Sequence, residues 1–190
     1  MRTLALCAAS FQKSVKQAAG VEPLLSPPVN IKTFDPHSLE GYDFIYFKLH
    51  GLPNQPFWYG DNWLTTLSAN QLSQADLSET TIFVANCHLY TILNAKLVPS
   101  TMLLALLHSN AAAVVGGPDI NFARSSTVRG ADKLGQYFRY ACQLGAKPKT
   151  AFKVAKKRIE LARKRTFATE DTLDFCFFDQ TFFNKEVRRC

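Results

Sequence analysis

The sequence predicts an α/β protein, a three-layer α/β/α sandwich built on a mostly parallel six-stranded sheet. Three observations lead there. Short runs of β-branched and aromatic residues alternate with segments of helical period, the pattern of parallel βαβ units. Two of these runs, DFIYFKLHG ending at His50-Gly51 and TTIFVANC ending at Cys87, are rich in apolar, β-branched and aromatic residues, and YDFIYFKL is apolar at nearly every position, as a strand covered on both faces must be. The chain of 190 residues has the length of one domain and contains no internal repeat, low-complexity tract or linker, so residues 1–190 read as a single domain. Right-handed crossovers then place helices on both faces of the sheet.

Taken in order, residues 3–9 (TLALCAA) form the first strand and residues 10–19 a short helix. EPLLSPPV is a proline-rich loop, and VNIKTF, residues 29–34, is the second strand. The turn residues DPHSLEG lead into YDFIYFKL, the third strand. Residues 51–75 contain two short β pieces, near Phe57–Tyr59 and residues 63–66, turned by Gly60-Asp61-Asn62. SANQL is a helical turn capped by Ser68, and TTIFVAN is the fourth strand. Ser100 caps a helix over residues 100–109, AAAVVGG is the fifth strand, and a long helix runs over residues 126–144. The core face of that helix carries Val128, Ala131, Leu134, Phe138 and Ala141, and Gly145 is its C′ stop. Pro148 opens another helix, where proline is tolerated, and TLDFCFF is the sixth strand.

The composition, 47% hydrophobic and 19% charged, is that of an ordinary globular chain. No apolar stretch approaches the ~20 residues that span a bilayer, which argues against a membrane protein. TLALCAAS is too short for a secretory signal and reads as a strand. Five cysteines without CxxC or framework spacing indicate thiols in a reducing, cytoplasmic compartment. No set of Cys, His and carboxylates has metal-ligand spacing, and no cofactor is expected.

The formal charge of +7 is concentrated in residues 147–165, where nine Lys and Arg face Glu160 alone. Ala151, Phe152, Ala155, Ile159 and Ala162 recur there at helical spacing, so the segment is an amphipathic helix with a basic outer face. A solvated face is the plain reading, and an acidic partner or nucleic acid the other. No aromatics interleave with the basic residues as a stacking platform requires, which argues against nucleic acid.

Two adjacent parallel strands ending at His50 and Cys87 put an imidazole and a thiol at the rim where ligands bind in open α/β sheets. That pairing is a candidate base and nucleophile and points to a cysteine hydrolase. A thiol with pKa near 8.5 needs such help at neutral pH. His50 can take the proton and later return it to a leaving amine. Gly51 allows close backbone approach. His88 is a second candidate base, although a neighbour of Cys87 on one strand points to the opposite face. His37 and His108 read as surface residues, and Cys7, Cys142 and Cys176 as core; Cys190 is terminal and uninformative. Phe57, Trp58 and Trp63 either line a cleft or seal the hairpin to the sheet.

With these strings the chain resembles the caspase-like cysteine peptidases, closest to the CHAT domains related to separase. LSANQLSQADLSETTIFVANC resembles the short helix and turn that lead into the family's cysteine strand. LLALLHSNAAAVVGG resembles the next helix and strand, and LGQYFRYACQLGAKPKTAFKVAKKRI the final helix pair. The resemblance covers about residues 40–165. Asn86 stands before Cys87 where the family often has alanine, and Gly117-Pro118 where it usually has Leu-Trp.

The resemblance implies a caspase-like fold and a His50–Cys87 dyad cleaving a protein substrate through a thioester. Backbone N–H groups of Gly51 and Cys87 would bind the oxyanion, one such donor being worth about 3 kcal/mol. It also implies that an acidic residue near Asp119 selects a basic P1 side chain, unless Asp119 only stabilises its turn. Asp61 is a second candidate for substrate binding, or a turn residue. The alternative function is a catalytically silent module that recruits a regulatory protein partner or a second copy through the edge strand.

Overall fold

The computed structural model of the chain describes residues 1–93, 96–118, 127–166 and 174–187. Its centre is a six-stranded sheet of β1 (Thr3–Ala8), β2 (Leu24–Ser26), β3 (Phe44–Lys48), β7 (Thr81–Val84), β10 (Ala113–Gly116) and β11 (Cys176–Phe178). The spatial order is β2-β1-β3-β7-β10-β11, with β2 and β11 at the edges. The first five strands in that order run parallel, and β11 pairs antiparallel to β10. All five residues of β3 and all four of β7 and of β10 are buried, as expected for central strands covered on both faces.

Alternation along the strands divides the core in two. Phe44, Tyr46 and Phe83 point to the face covered by α1 (Gln12–Ala19), α4 (Gly130–Gln143) and α5 (Pro148–Thr166). Ile45, Phe47, Ile82 and Val84 point to the other, under α2 (Ala69–Leu72), α3 (Thr101–His108) and α6 (Gln180–Val187). The layers are therefore helix, sheet, helix.

Local signals account for the helix ends. Ser68 and Gln71 form a reciprocal capping box on α2, and the Ser100 hydroxyl accepts from Leu103 N–H at 3.2 Å. After α4, Gly145 N–H donates to the Cys142 carbonyl and Ala146 N–H to that of Ala141. This is the paired closure that a left-handed C′ residue permits, with Gly145 at φ 88°. On α5, Ala151, Phe152, Ala155 and Ile159 are buried, while Lys153, Lys157, Arg158 and Ala162 are exposed.

Three expectations need correction. Residues 29–34 form a turn, and the second strand is Leu24–Ser26, inside the segment read as a loop. Asn30 accounts for this: its carbonyl accepts from Thr33 and Phe34 N–H, and its side chain accepts from Lys32 N–H at 2.9 Å, in competition with a ladder. β7 ends at Val84, short of Asn86. A hairpin of β8 (Tyr90–Leu93) and β9 (Lys96–Pro99), and helix α6, were not foreseen; the hairpin's exposed Ile92 and Leu93 blunt any alternation signal. A separate three-stranded sheet of β4 (His50–Gly51), β5 (Phe57–Tyr59) and β6 (Thr65–Ser68) forms the hairpin region after the third strand.

The apolar run of β3 hides one charge. Lys48, its last residue, shares the parity of Phe44 and Tyr46 and is directed under the α1–α4 layer. There its ammonium donates to Asp132 of α4 and, at 2.9 Å, to Ser14 Oγ of α1. Tyr46 OH donates to the other Asp132 oxygen at 2.7 Å, and Phe11 presents its ring 4.6 Å from the ammonium. Both charged side chains are 2% exposed. Burial first, then the Asp132 carboxylate, push the Tyr46 phenol well above its ordinary range and keep it a donor.

Breaking one half of a buried pair strands the other charge. Lys48→Met or Asp132→Leu alone is expected to lower unfolding free energy by about 3–5 kcal/mol, read as a fall in urea midpoint at unchanged slope. The double variant is expected to recover most of that loss.

Candidate functional site at the C-terminal rim of the sheet

β1, β3, β7 and β10 all end at one rim, and His50 and Cys87 follow β3 and β7 there. The ladder between them closes at Phe47 opposite Val84 and is extended by Ala85 N–H donating to the Phe47 carbonyl at 2.8 Å. Asn86 then continues the pairing with its side chain: Oδ1 accepts from Leu49 N–H at 2.7 Å. Asn86 is buried and ties the residue before His50 to the residue before Cys87.

One residue further, Gly51 packs directly on Cys87. A Cβ built on Gly51 would lie 2.2 Å from the Cys87 carbonyl oxygen, a backbone atom that cannot swing away. Any other residue here would drive the two loops apart. The His50-Gly51 and Cys87 segments are thus in contact at the backbone. Cys87 is a half-buried thiol.

The His50 imidazole, 36% exposed, is in contact with the rings of Phe11 at 5.3 Å and Trp63 at 5.5 Å. Its Nε2 is 3.9 Å from Asp61 Oδ1. Asp61, 26% exposed, is in turn fixed by Ser10, whose Oγ donates to Oδ1 and whose N–H donates to Oδ2, both at 2.7 Å. Asp61 therefore sits at the rim beside the histidine, with both oxygens already bonded within the protein. The sequence carried no signal for Ser10, because its partner lies 51 positions away.

The aromatic residues of the hairpin divide. Trp58 is buried against Phe47, rings 5.2 Å apart, and seals the hairpin to the sheet. Trp63 is 61% exposed and covers the imidazole instead. Phe57 is half-buried.

The alternation that set His88 aside does not operate, because β7 ends three residues before Cys87 and both residues lie beyond the strand. His88 adopts φ 55°, a left-handed conformation that turns the chain toward β8. Its Nδ1 is enclosed by protein and has no hydrogen-bond partner among the described residues. Asp119 lies outside the described residues, as does Cys190. His37 is exposed and bonded through Nδ1 to Glu40 at 2.8 Å, which raises its pKa; His108 is exposed at the end of α3. Among the described residues no group of three or more His, Cys, Asp or Glu side chains is placed to hold a metal ion, and no helix is long and apolar enough to cross a membrane.

Compared with known proteins, the chain matches no family model, and no curated protein matches it. Fold and rim together define an α/β protein with a His–Cys pair of segments at the carboxyl ends of parallel strands, the position at which such sheets bind ligands.

Two outcomes follow from this geometry. Gly51→Ala is expected to destabilise the protein by about 1–3 kcal/mol in urea unfolding, because the added carbon meets backbone. The thiols should also separate by reactivity. Burial pushes the fully enclosed Cys7 thiol up to about 12 against the pull of Lys48, and that of Cys142 to about 11. Intact-mass analysis after iodoacetamide at pH 7.5 is expected to find Cys87 alkylated in the native protein. Cys7 and Cys142 should react only after unfolding.

Proposed function

We propose that this chain is a cysteine endopeptidase of the caspase-like type, closest to CHAT domains, acting in the reducing cytoplasm with His50 and Cys87 as its dyad. The observation that carries the reading is the seating of Gly51 on the Cys87 carbonyl, with Asn86 bonded to Leu49, at the carboxyl-end rim of the sheet. These contacts hold the segment carrying His50 against the segment carrying Cys87.

In the proposed reaction His50 takes the Cys87 proton, and the thiolate attacks the scissile carbonyl carbon. The resulting oxyanion is held by backbone N–H groups, for which Gly51 and Cys87 are the candidates. Collapse breaks the C–N bond as the imidazolium returns its proton to the departing amine, leaving a thioester on Cys87. A water, deprotonated by His50, attacks the thioester, and the acid product leaves as Cys87 regains its proton. Asp119 is the candidate for selecting Lys or Arg at P1 by charge pairing.

A second reading has its own support. The β8–β9 hairpin that follows Cys87 exposes Ile92 and Leu93, each 60% accessible, and β11 is an edge strand. An apolar hairpin and a strand that is at the edge of the sheet among the described residues suit a silent module that binds a regulatory partner or a second copy.

The deciding experiment is intact-mass labelling with a peptidyl acyloxymethyl ketone carrying Arg at P1. A single adduct on Cys87 is expected, lost in Cys87→Ala and slowed at least about a hundredfold in His50→Ala. Reagents with Asp or Leu at P1 should label more slowly. No adduct on a Cys87 that still reacts with iodoacetamide would favour the interaction module.

A further inference from the structure

We propose that Asp61 is the positioning residue of His50, fixing the imidazole in the tautomer that carries its proton on Nε2. The assignment rests on the dyad reading above and adds a third member to it. Three independent features of the fold converge on this placement.

The first is the carboxylate itself. It stands 3.9 Å from Nε2, and no other described carboxylate forms an ion pair with His50. Contacts of this kind are commonly long in an unliganded site and shorten when substrate excludes water. Oδ1 already accepts from Ser10 Oγ and has a lone pair to spare, since a carboxylate offers about four acceptor positions.

The second is that Asp61 is held rather than merely near. Ser10, in the single helical turn after β1, bonds both of its oxygens, which opposes rotation of the carboxylate toward solvent. The turn that carries it is tightly seated: a Cβ on Gly60 would fall 2.1 Å from Ser26 Oγ, and Gly60 N–H donates to the Leu64 carbonyl at 2.8 Å.

The third is local backbone strain. Asn62 and Trp63 both adopt left-handed φ, at 56° and 58°, which is uncommon for asparagine and a rarity for tryptophan. The result of that turn is to bring Asp61 and the Trp63 ring onto the same imidazole. With Phe11 also against it, the ring contacts two aromatics and a carboxylate. With Nε2–H turned to Asp61, Nδ1 keeps the lone pair needed to take the Cys87 proton.

Asp61→Asn tests this sharply. Ser10 N–H continues to hold the amide oxygen, so the amide NH2 takes the place of Oδ1 and donates toward Nε2. The proton then moves to Nδ1, and the lone pair is lost from the nitrogen that must act as base.

Long-range 1H–15N spectra of the full chain, labelled at histidine, read the tautomer of neutral His50 directly. The expected result is Nε2–H in the unmodified protein and Nδ1–H in Asp61→Asn, with Ser10→Ala giving a mixture. Nδ1–H in the unmodified protein, which needs no variant, overturns the proposal. So does an unchanged tautomer in a folded Asp61→Asn. In the ketone assay Asp61→Asn should lower the inactivation rate constant at least about a hundredfold with little change in the concentration for half-saturation, and Asp61→Glu should restore part of it. An inert Cys87 with the tautomer switch intact supports the Asp61 assignment and removes the peptidase reading. A labelled Cys87 with an indifferent Asp61→Asn keeps the peptidase reading and removes the assignment.

Discussion

The ion pair between Lys48 and Asp132 is the constraint on which the arrangement of the rim depends. It lies beneath the sheet's carboxyl end, wholly out of water, and joins the last residue of β3 to α4 and, through Ser14, to α1. Two charges withdrawn from water at this cost add little net stability, but they admit only one register. A slip of β3 by one position would turn Lys48 into the opposite core and leave Asp132 without its counter-ion. The parity that sends Lys48 toward α1 also brings His50, two residues later, to the side of Phe11. That ring touches both groups, with the ammonium on it at 4.6 Å and the imidazole at 5.3 Å.

From that base the site is assembled by loops that the core leaves without other employment. Ser10 and Phe11 leave β1, His50 and Gly51 leave β3, Asp61 and Trp63 come from the hairpin, and Cys87 leaves β7. Each is located by a specific contact: an asparagine side chain in place of a ladder bond, a glycine against a carbonyl, a serine spanning a carboxylate. Loops carry the chemistry and a rigid sheet carries the loops, the usual division in α/β proteins. The strained turn at Asn62 and Trp63 fits the same pattern, since left-handed backbone persists only where its surroundings over-determine it.

The legible part of the fold was the part set by side-chain period and local chemistry. Largely apolar runs such as FIYFK and TIFV identify central strands because burial on both faces leaves few polar positions. Ser68, Ser100, Gly145 and Pro148 mark helix ends because capping acts within a few residues. Helix α5 was visible from its apolar stripe. The second strand was misread because VNIKTF has better strand composition than LLS, yet Asn30 folds the former into a turn while the latter finds β1. The β8–β9 hairpin and α6 were invisible for a related reason, as both pair or pack through contacts with little periodic signature. The strand TTIFVAN also ends earlier than its composition suggests, at Val84, so alternation does not reach His88.

By itself, then, the sequence determined the α/β class, the placement of His50 and Cys87 after two neighbouring strands, and the need for a small residue at Gly51. Periodicity, capping and residue chemistry are local properties. The tertiary structure alone decided that Lys48 is buried on Asp132 rather than snorkelling outward, that Asn86 bonds to Leu49, and that Asp61 leaves the role of a turn residue to stand beside His50 in the grip of Ser10. Those pairings join residues 84, 37, 11 and 51 positions apart. Nothing along the chain encodes such distances; they exist only once the sheet has brought its strand ends to one rim.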